Sequence, residues 1–121
     1  MSKKILVVDD SPTIRQQLQI TLAKDGFTVI EAQDGVEGLD AVSKNADLAM
    51  VISDVNMPNM NGIDFLKNLK ERGSKLPVVM LTTEGAAELI EKAKGFGAKG
   101  WLVKPFKPEQ MLGAVAKLCL P

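Results

Sequence analysis

Apolar residues recur along this chain in two alternating rhythms. Short continuous runs at Ile5-Leu6-Val7-Val8, Met50-Val51-Ile52 and Val78-Val79-Met80-Leu81 have the pattern of strands buried on both faces of a parallel sheet. Trp101-Leu102-Val103 reads as a further buried strand, and Thr28-Val29-Ile30 as a short one. Between these runs the apolar positions return every three or four residues, as the buried stripe of a helix does: Ile14, Leu18 and Leu22; Val36, Leu39 and Val42; Ile63, Leu66 and Leu69; Ala86, Leu89, Ile90 and Ala93; Leu112, Val115 and Cys119. The punctuation agrees. Ser11 is an N-cap ahead of Pro12, Asp34 and Glu37 form a capping box, and Pro108 opens the last helix. Gly26 ends the first helix, Gly73 to Pro77 break the third, and Gly95 and Gly97 stop the fourth. Five strand–helix pairs in succession predict an α/β fold, a parallel sheet with helices on both sides joined by right-handed crossovers.

A chain of 121 residues is long enough for one core and too short for two, so residues 1–121 are expected to form one domain with nothing left over for an output domain. Lysine plus arginine and aspartate plus glutamate each total 15, a balance that argues against a nucleic-acid or membrane-surface partner. No segment approaches the roughly 20 apolar residues that span a bilayer, and the first strand reaches Asp9-Asp10 too soon for a secretory signal. A cytoplasmic protein is expected. The single cysteine, Cys119, reads as a buried structural thiol.

The strand ends carry the chemistry. The first run ends in Asp9-Asp10, the third in Ser53-Asp54, the fourth in Thr82-Thr83 and the fifth in Lys104-Pro105. In open α/β sheets the site lies beyond the carboxyl ends of the strands, where the strand order reverses, which gathers Asp9, Asp10, Asp54, Thr82 and Lys104 into one crevice. Three neighbouring carboxylates raise one another's pKa, and a hard divalent cation with oxygen ligands, Mg²⁺, relieves the repulsion. Lys104 can hold an anion beside the metal, and Thr82 offers a hydroxyl to it. These are the parts for phosphoryl transfer to an aspartate. Plainer readings exist for each residue. Asp10 and Ser11 can simply cap a helix, Thr82 can be an ordinary strand end, and Lys104 can be a solvated lysine. All of them holding at successive strand ends is improbable.

The set Asp9-Asp10, Asp54, Thr82 and Lys104-Pro105-Phe106 resembles the receiver domain of two-component response regulators, over the whole chain. The stretches Asp54-Val55-Asn56-Met57-Pro58-Asn59-Met60-Asn61-Gly62 and Trp101-Leu102-Val103-Lys104-Pro105-Phe106 are similar to the single-domain chemotaxis regulators of that family. The resemblance implies a flavodoxin-like doubly wound (βα)5 fold with strand order 2-1-3-4-5. It implies that Asp54 accepts a phosphoryl group from a histidine kinase, with Lys104 and Thr82 contacting that group. Asp10 and Asp54 would ligate Mg²⁺ directly, Asp9 through water, and Asn56 through its backbone carbonyl. Lys104-Pro105 would be a cis peptide. Asn56 and Glu84 would tune how long the phosphoryl group survives, and Thr82 with Trp101 would form the switch. Trp101, where the family commonly has Tyr, and Thr83, where it often has Ala, depart from the pattern and alter the energetics of that switch.

The resulting expectation is a monomeric phosphorylation switch that promotes its own phosphorylation and dephosphorylation without turning over a separate substrate. It is read by a protein partner, a flagellar motor switch by resemblance, with a phosphate-sink role as the alternative. A Mg²⁺-dependent aspartyl phosphatase is a rival, but such enzymes carry a second acid two residues after the nucleophile, where this chain has Asn56, and no histidine can substitute. An FMN carrier is a weaker rival, because Asp9-Asp10 would repel a phosphate unless a metal intervened. Met57 and Met60 read as loop and core contacts, and Glu88, Glu91, Lys92 and Lys94 as a solvated helix face.

Overall fold

The computed structural model describes residues 3–82 and 87–118. Along the chain run β1 (Lys4–Val8), α1 (Pro12–Lys24), β2 (Thr28–Ala32), α2 (Gly35–Lys44), β3 (Leu48–Asp54), α3 (Gly62–Glu71), β4 (Val78–Thr82), α4 (Ala87–Gly95), β5 (Gly100–Val103) and α5 (Pro108–Leu118). Every strand pairing is parallel, and the sheet order is β2-β1-β3-β4-β5, the flavodoxin-like order that the resemblance implied. Among the described residues no helix is long and apolar enough to cross a membrane.

The period-2 geometry of the strands divides the core into two layers. Leu6, Val8, Val51, Val78 and Met80 face a cluster completed by Leu39 of α2, Phe65, Leu66 and Leu69 of α3 and Ala93 of α4. Ile5, Val7, Met50, Ile52, Val79 and Leu81 face the other, with Leu18 and Leu22 of α1 and Met111 and Val115 of α5. Ile5 through Val8 are each 0% exposed, and burying a side chain of that size contributes about 1.5–3 kcal/mol, so β1 anchors both layers.

The helix boundaries follow local chemistry. The Ser11 hydroxyl accepts the Ile14 N–H, and Asp34 accepts the Glu37 N–H. The Glu37 carboxylate reaches back to the N–H of Gln33, one residue before the cap that the capping box would favour. Gly26 adopts a φ of 91°, and beyond it Phe27 donates to the Leu22 carbonyl, a left-handed helix end that suits glycine.

Two expectations need correcting. Val36, placed in the buried stripe of α2, is 53% exposed. Trp101–Val103 is not buried on both faces: Trp101 is 38% and Val103 41% exposed. β5 is the sheet's edge strand. Its Leu102 packs into the layer of α1 and α5, which turns Trp101 and Val103 to the opposite face, and α4 covers that face only in part. The helix stripe of α5 is centred on Met111 and Val115, with Leu112 half-buried. Ala86 and Cys119, assigned to the stripes of α4 and α5, lie outside the described residues.

Two glycines should respond oppositely to alanine. A Cβ on Gly62 would collide with the Asp54 carbonyl oxygen, so Gly62→Ala is expected to lower the urea unfolding free energy by about 3 kcal/mol. Gly95 ends α4 with open space around it, and Gly95→Ala is expected to raise the same quantity by about 0.5 kcal/mol.

Candidate functional site

The strand order brings the reactive ends together. β1 lies between β2 and β3, so the crossovers leaving β1 and β3 diverge there and open a crevice at their carboxyl ends. The register pairs Val8 with Ser53, Asp54 with Leu81 and Thr82 with Val103. The residues one step further on therefore meet along a single edge. Carboxylate oxygens of Asp9, Asp10 and Asp54 all lie within 4.8 Å of one another.

Lys104 reaches into this cluster from the end of β5. Its Nζ stands 2.9 Å from Asp9 Oδ2 and 3.3 Å from Asp54 Oδ1. The Lys104-Pro105 peptide is cis, as the resemblance implied. Asp9 is completely buried, and its second oxygen accepts the Ser11 N–H at 2.9 Å. Asp54 is 8% exposed, and its Oδ1 also accepts the Val55 N–H at 2.9 Å. Asp10 is exposed.

These environments pull the groups apart electrically. Burial, and after it the charge of Asp9, raises the Asp54 carboxyl above the ordinary aspartate value despite the opposing pull of Lys104. Burial by itself lowers the Lys104 ammonium. The hydrogen bond that Lys104 donates to Asp9 and the charges of Asp54 and Asp9 outweigh it, so the net direction is upward. One ammonium among three carboxylates leaves the crevice negative. The donors are all hard oxygens, one of the acids is open to solvent, and a small divalent cation fits that set.

Asp9, Asp10, Asp54 and Lys104 are thus brought together. Thr82 ends the next strand of the sheet, and its Oγ1 is buried without a hydrogen-bond partner among the described residues. Asn56 lies exposed in the turn after β3. Trp101 lies outward, its ring under the Lys94 ammonium at 4.4 Å from the centroid. Thr83 and Glu84 lie outside the described residues. Met57 and Met60 pack against the core, as expected.

Three features escaped the sequence reading. Arg15 of α1 donates to the Asp9 carbonyl at 2.6 Å and to Glu31 at 3.2 Å, bracing the acidic turn. A basic residue near a helix N-terminus, where the dipole disfavours it, was the only signal. The contact of Lys94 with Trp101 and the bond of Asn59 to Asp34 join distant segments and leave no pattern along the chain.

Comparison with known proteins places these observations among relatives. The response regulator receiver domain family matches residues 5–116. The chain is 44% identical over 110 residues to the chemotaxis protein CheY1 of Helicobacter pylori, covering 88% of each. It is 43% identical over 110 residues to the chemotaxis protein CheY homolog of Campylobacter jejuni, covering 88% of this chain and 84% of that one. The structure of chemotaxis protein CheY4 of Vibrio cholerae superposes with a TM-score of 0.90 at 42% identity, covering 98% of this chain and 99% of that one.

The raised Asp54 pKa has a stability consequence. Ionising Asp54 is harder in the folded chain than in the unfolded one. The penalty is absent below the unfolded carboxylate value of about 3.9, develops as the pH rises through the interval up to the folded value, and is complete above it. In buffer free of divalent cations, Asp54→Asn is expected to raise the urea midpoint at pH 7, and the gain should shrink as the pH falls toward 4.

Proposed function

This chain belongs to the response regulator receiver domain family, and from that premise we propose that it is a phosphorylation switch whose phosphoacceptor is Asp54. One observation carries the reading: a buried carboxylate, a lysine at 3.3 Å and two further acids meet at one sheet edge. A carboxylate oxygen of Asp54 attacks the phosphorus of a phosphohistidine on a kinase. The P–O bond forms, the P–N bond breaks, and the imidazole leaves. Lys104 neutralises charge on the arriving phosphoryl oxygens, and because its proton is held more firmly than usual it remains an ammonium. The Thr82 hydroxyl, without a hydrogen-bond partner among the described residues, can donate to one of those oxygens.

Asp10 and Asp54 would hold Mg²⁺ by their carboxylates, and Asn56 by its backbone carbonyl. Asp9 would act through water, a role that suits it because both its oxygens already have protein partners. When bound, the ion supplies positive charge to the transferring phosphoryl group.

The output follows from what Thr82 leaves behind. If its hydroxyl turns toward the phosphoryl group, the space beside the β4 and β5 ends is reshaped and Trp101 can respond to it. Exposed Trp101 and Val103 then belong to the surface that a protein target reads, and a flagellar motor switch is the proposed target. Asn56 and Glu84 set the lifetime of the signal. We infer that residues 1–121 act as one cytoplasmic module without a separate substrate to turn over.

Incubation with Mg²⁺ and acetyl phosphate, followed by intact-mass measurement, tests the reading. One phosphoryl group should be gained by the natural chain and none by Asp54→Asn or by the natural chain in EDTA. A phosphoryl group retained in Asp54→Asn would overturn it. In the same samples Trp101 fluorescence should change on phosphorylation, and an unchanged signal and quencher accessibility would remove Trp101 from the switch.

A further inference from the structure

The turn between β3 and α3 carries Asn56, whose carbonyl is assigned above to the cation. Both of its ends are fastened. At the inner end Gly62 donates to the Val55 carbonyl at 2.8 Å, in a space that admits no Cβ. At the outer end the turn is tied to a different crossover. Asp34, the N-cap of α2, is only 5% exposed, and both its oxygens are engaged. Oδ1 accepts the Glu37 N–H at 2.9 Å, and Oδ2 accepts Nδ2 of Asn59 at 2.8 Å. Beside it the Gly35 N–H donates to the Met60 carbonyl at 3.0 Å, and a Cβ on Gly35 would meet the Met60 side chain at 2.6 Å.

Capping α2 needs only one of the Asp34 oxygens. The second bond reaches across 25 positions of sequence to Asn59, the only described non-glycine residue with a positive φ, 65°. That conformation is unfavourable for most side chains and persists where the surroundings over-determine it. The Glu37 N–H and then the Asn59 amide hold the Asp34 carboxyl below its usual range, so the acceptor is an anion and the bond is charge-assisted. Only Met57 and Pro58 separate Asn59 from Asn56. Pro58 has its φ fixed by its ring, Met57 packs on the core, and the Met60 N–H closes back onto the Pro58 carbonyl at 2.6 Å. The segment has little slack.

We propose that Asp34 and Asn59 are positioning residues for the cation site, a tie between the crossovers after β2 and β3 that fixes where the Asn56 carbonyl stands relative to Asp54. The inference rests on the reading of the site given above. It makes cation affinity depend on two residues that touch neither the cation nor the phosphoryl group.

Calorimetric titration of Mg²⁺ into the purified chain tests it, with unfolding midpoints measured alongside. Asn59→Gly keeps the left-handed backbone and removes only the amide. Asp34→Asn keeps a good N-cap but cannot accept from both of its present donors. The double variant Asp34→Asn with Asn59→Asp exchanges donor and acceptor and restores the bond. Each single variant should weaken Mg²⁺ binding about tenfold while remaining folded, and the exchange should recover most of that loss. Wild-type affinity in Asn59→Gly, or a double variant as weak as Asp34→Asn, would overturn the tie. A natural chain that takes a phosphoryl group and binds Mg²⁺, while Asn59→Gly binds equally well, would remove the tie and leave the site reading intact. A natural chain that does not bind Mg²⁺ would remove both.

Discussion

Like charge gathered at one sheet edge is the constraint around which this molecule is organised. Three carboxylates meet where β1 and β3 end, and one of them, Asp9, is completely buried in the protein. An isolated buried carboxylate is costly enough to protonate or to disrupt its surroundings. Here the ammonium of Lys104 stands between Asp9 and Asp54, at 2.9 and 3.3 Å, and makes the arrangement tolerable. The lysine does not complete the neutralisation. Asp54 remains harder to ionise than an ordinary aspartate, and Asp10 is left facing solvent. A site that is incompletely neutralised in this way suits a small cation, and in the proposed function an anion bound beside it.

The rest of the structure serves to hold that edge still. β1 and β3 are the interior strands on which both acidic ends sit, and their apolar side chains fill both layers of the core. The turns beyond the strands are then braced individually. Arg15 and Ser11 hold the Asp9 turn, Val55 and Gly62 close the turn after β3, and Asp34 ties that turn to α2. Such bracing matters because charge–charge energies change steeply over fractions of an ångström in a poorly hydrated crevice. Thr82 is the exception. Its hydroxyl is buried and unpartnered among the described residues, and an unmet buried donor costs about 1–3 kcal/mol. In the proposed switch this is the group whose bonding would improve on activation.

Much of the fold was legible along the chain because its signals are local. Runs such as Ile5–Val8 and stripes such as Ile63, Leu66 and Leu69 declare burial by spacing alone, and Ser11, Asp34 and Gly26 mark helix ends through bonds to near neighbours. Trp101-Leu102-Val103 misled for a definite reason. A buried strand and a half-covered edge strand share the same composition, and only the position in the sheet order distinguishes them. The site was legible as a set of residues, since each chemical group stands at the end of a recognisable strand. Its braces were not. Arg15, Asn59 and Lys94 act on partners reached through space, and each by itself has the composition of an ordinary helix or turn.

The sequence by itself therefore determined the succession of strands and helices, the identity of the groups at the strand ends and the family they belong to. These depend on side-chain periodicity and on caps that act within a few residues. Only the tertiary structure decided that Lys104 bonds Asp9 more closely than Asp54, that Asp9 is sealed while Asp10 is open, and that Asp34 spends its second oxygen on Asn59. Those outcomes are competitions between partners far apart in the chain. Distance and desolvation settle them, and neither quantity exists until the sheet has brought the strand ends together.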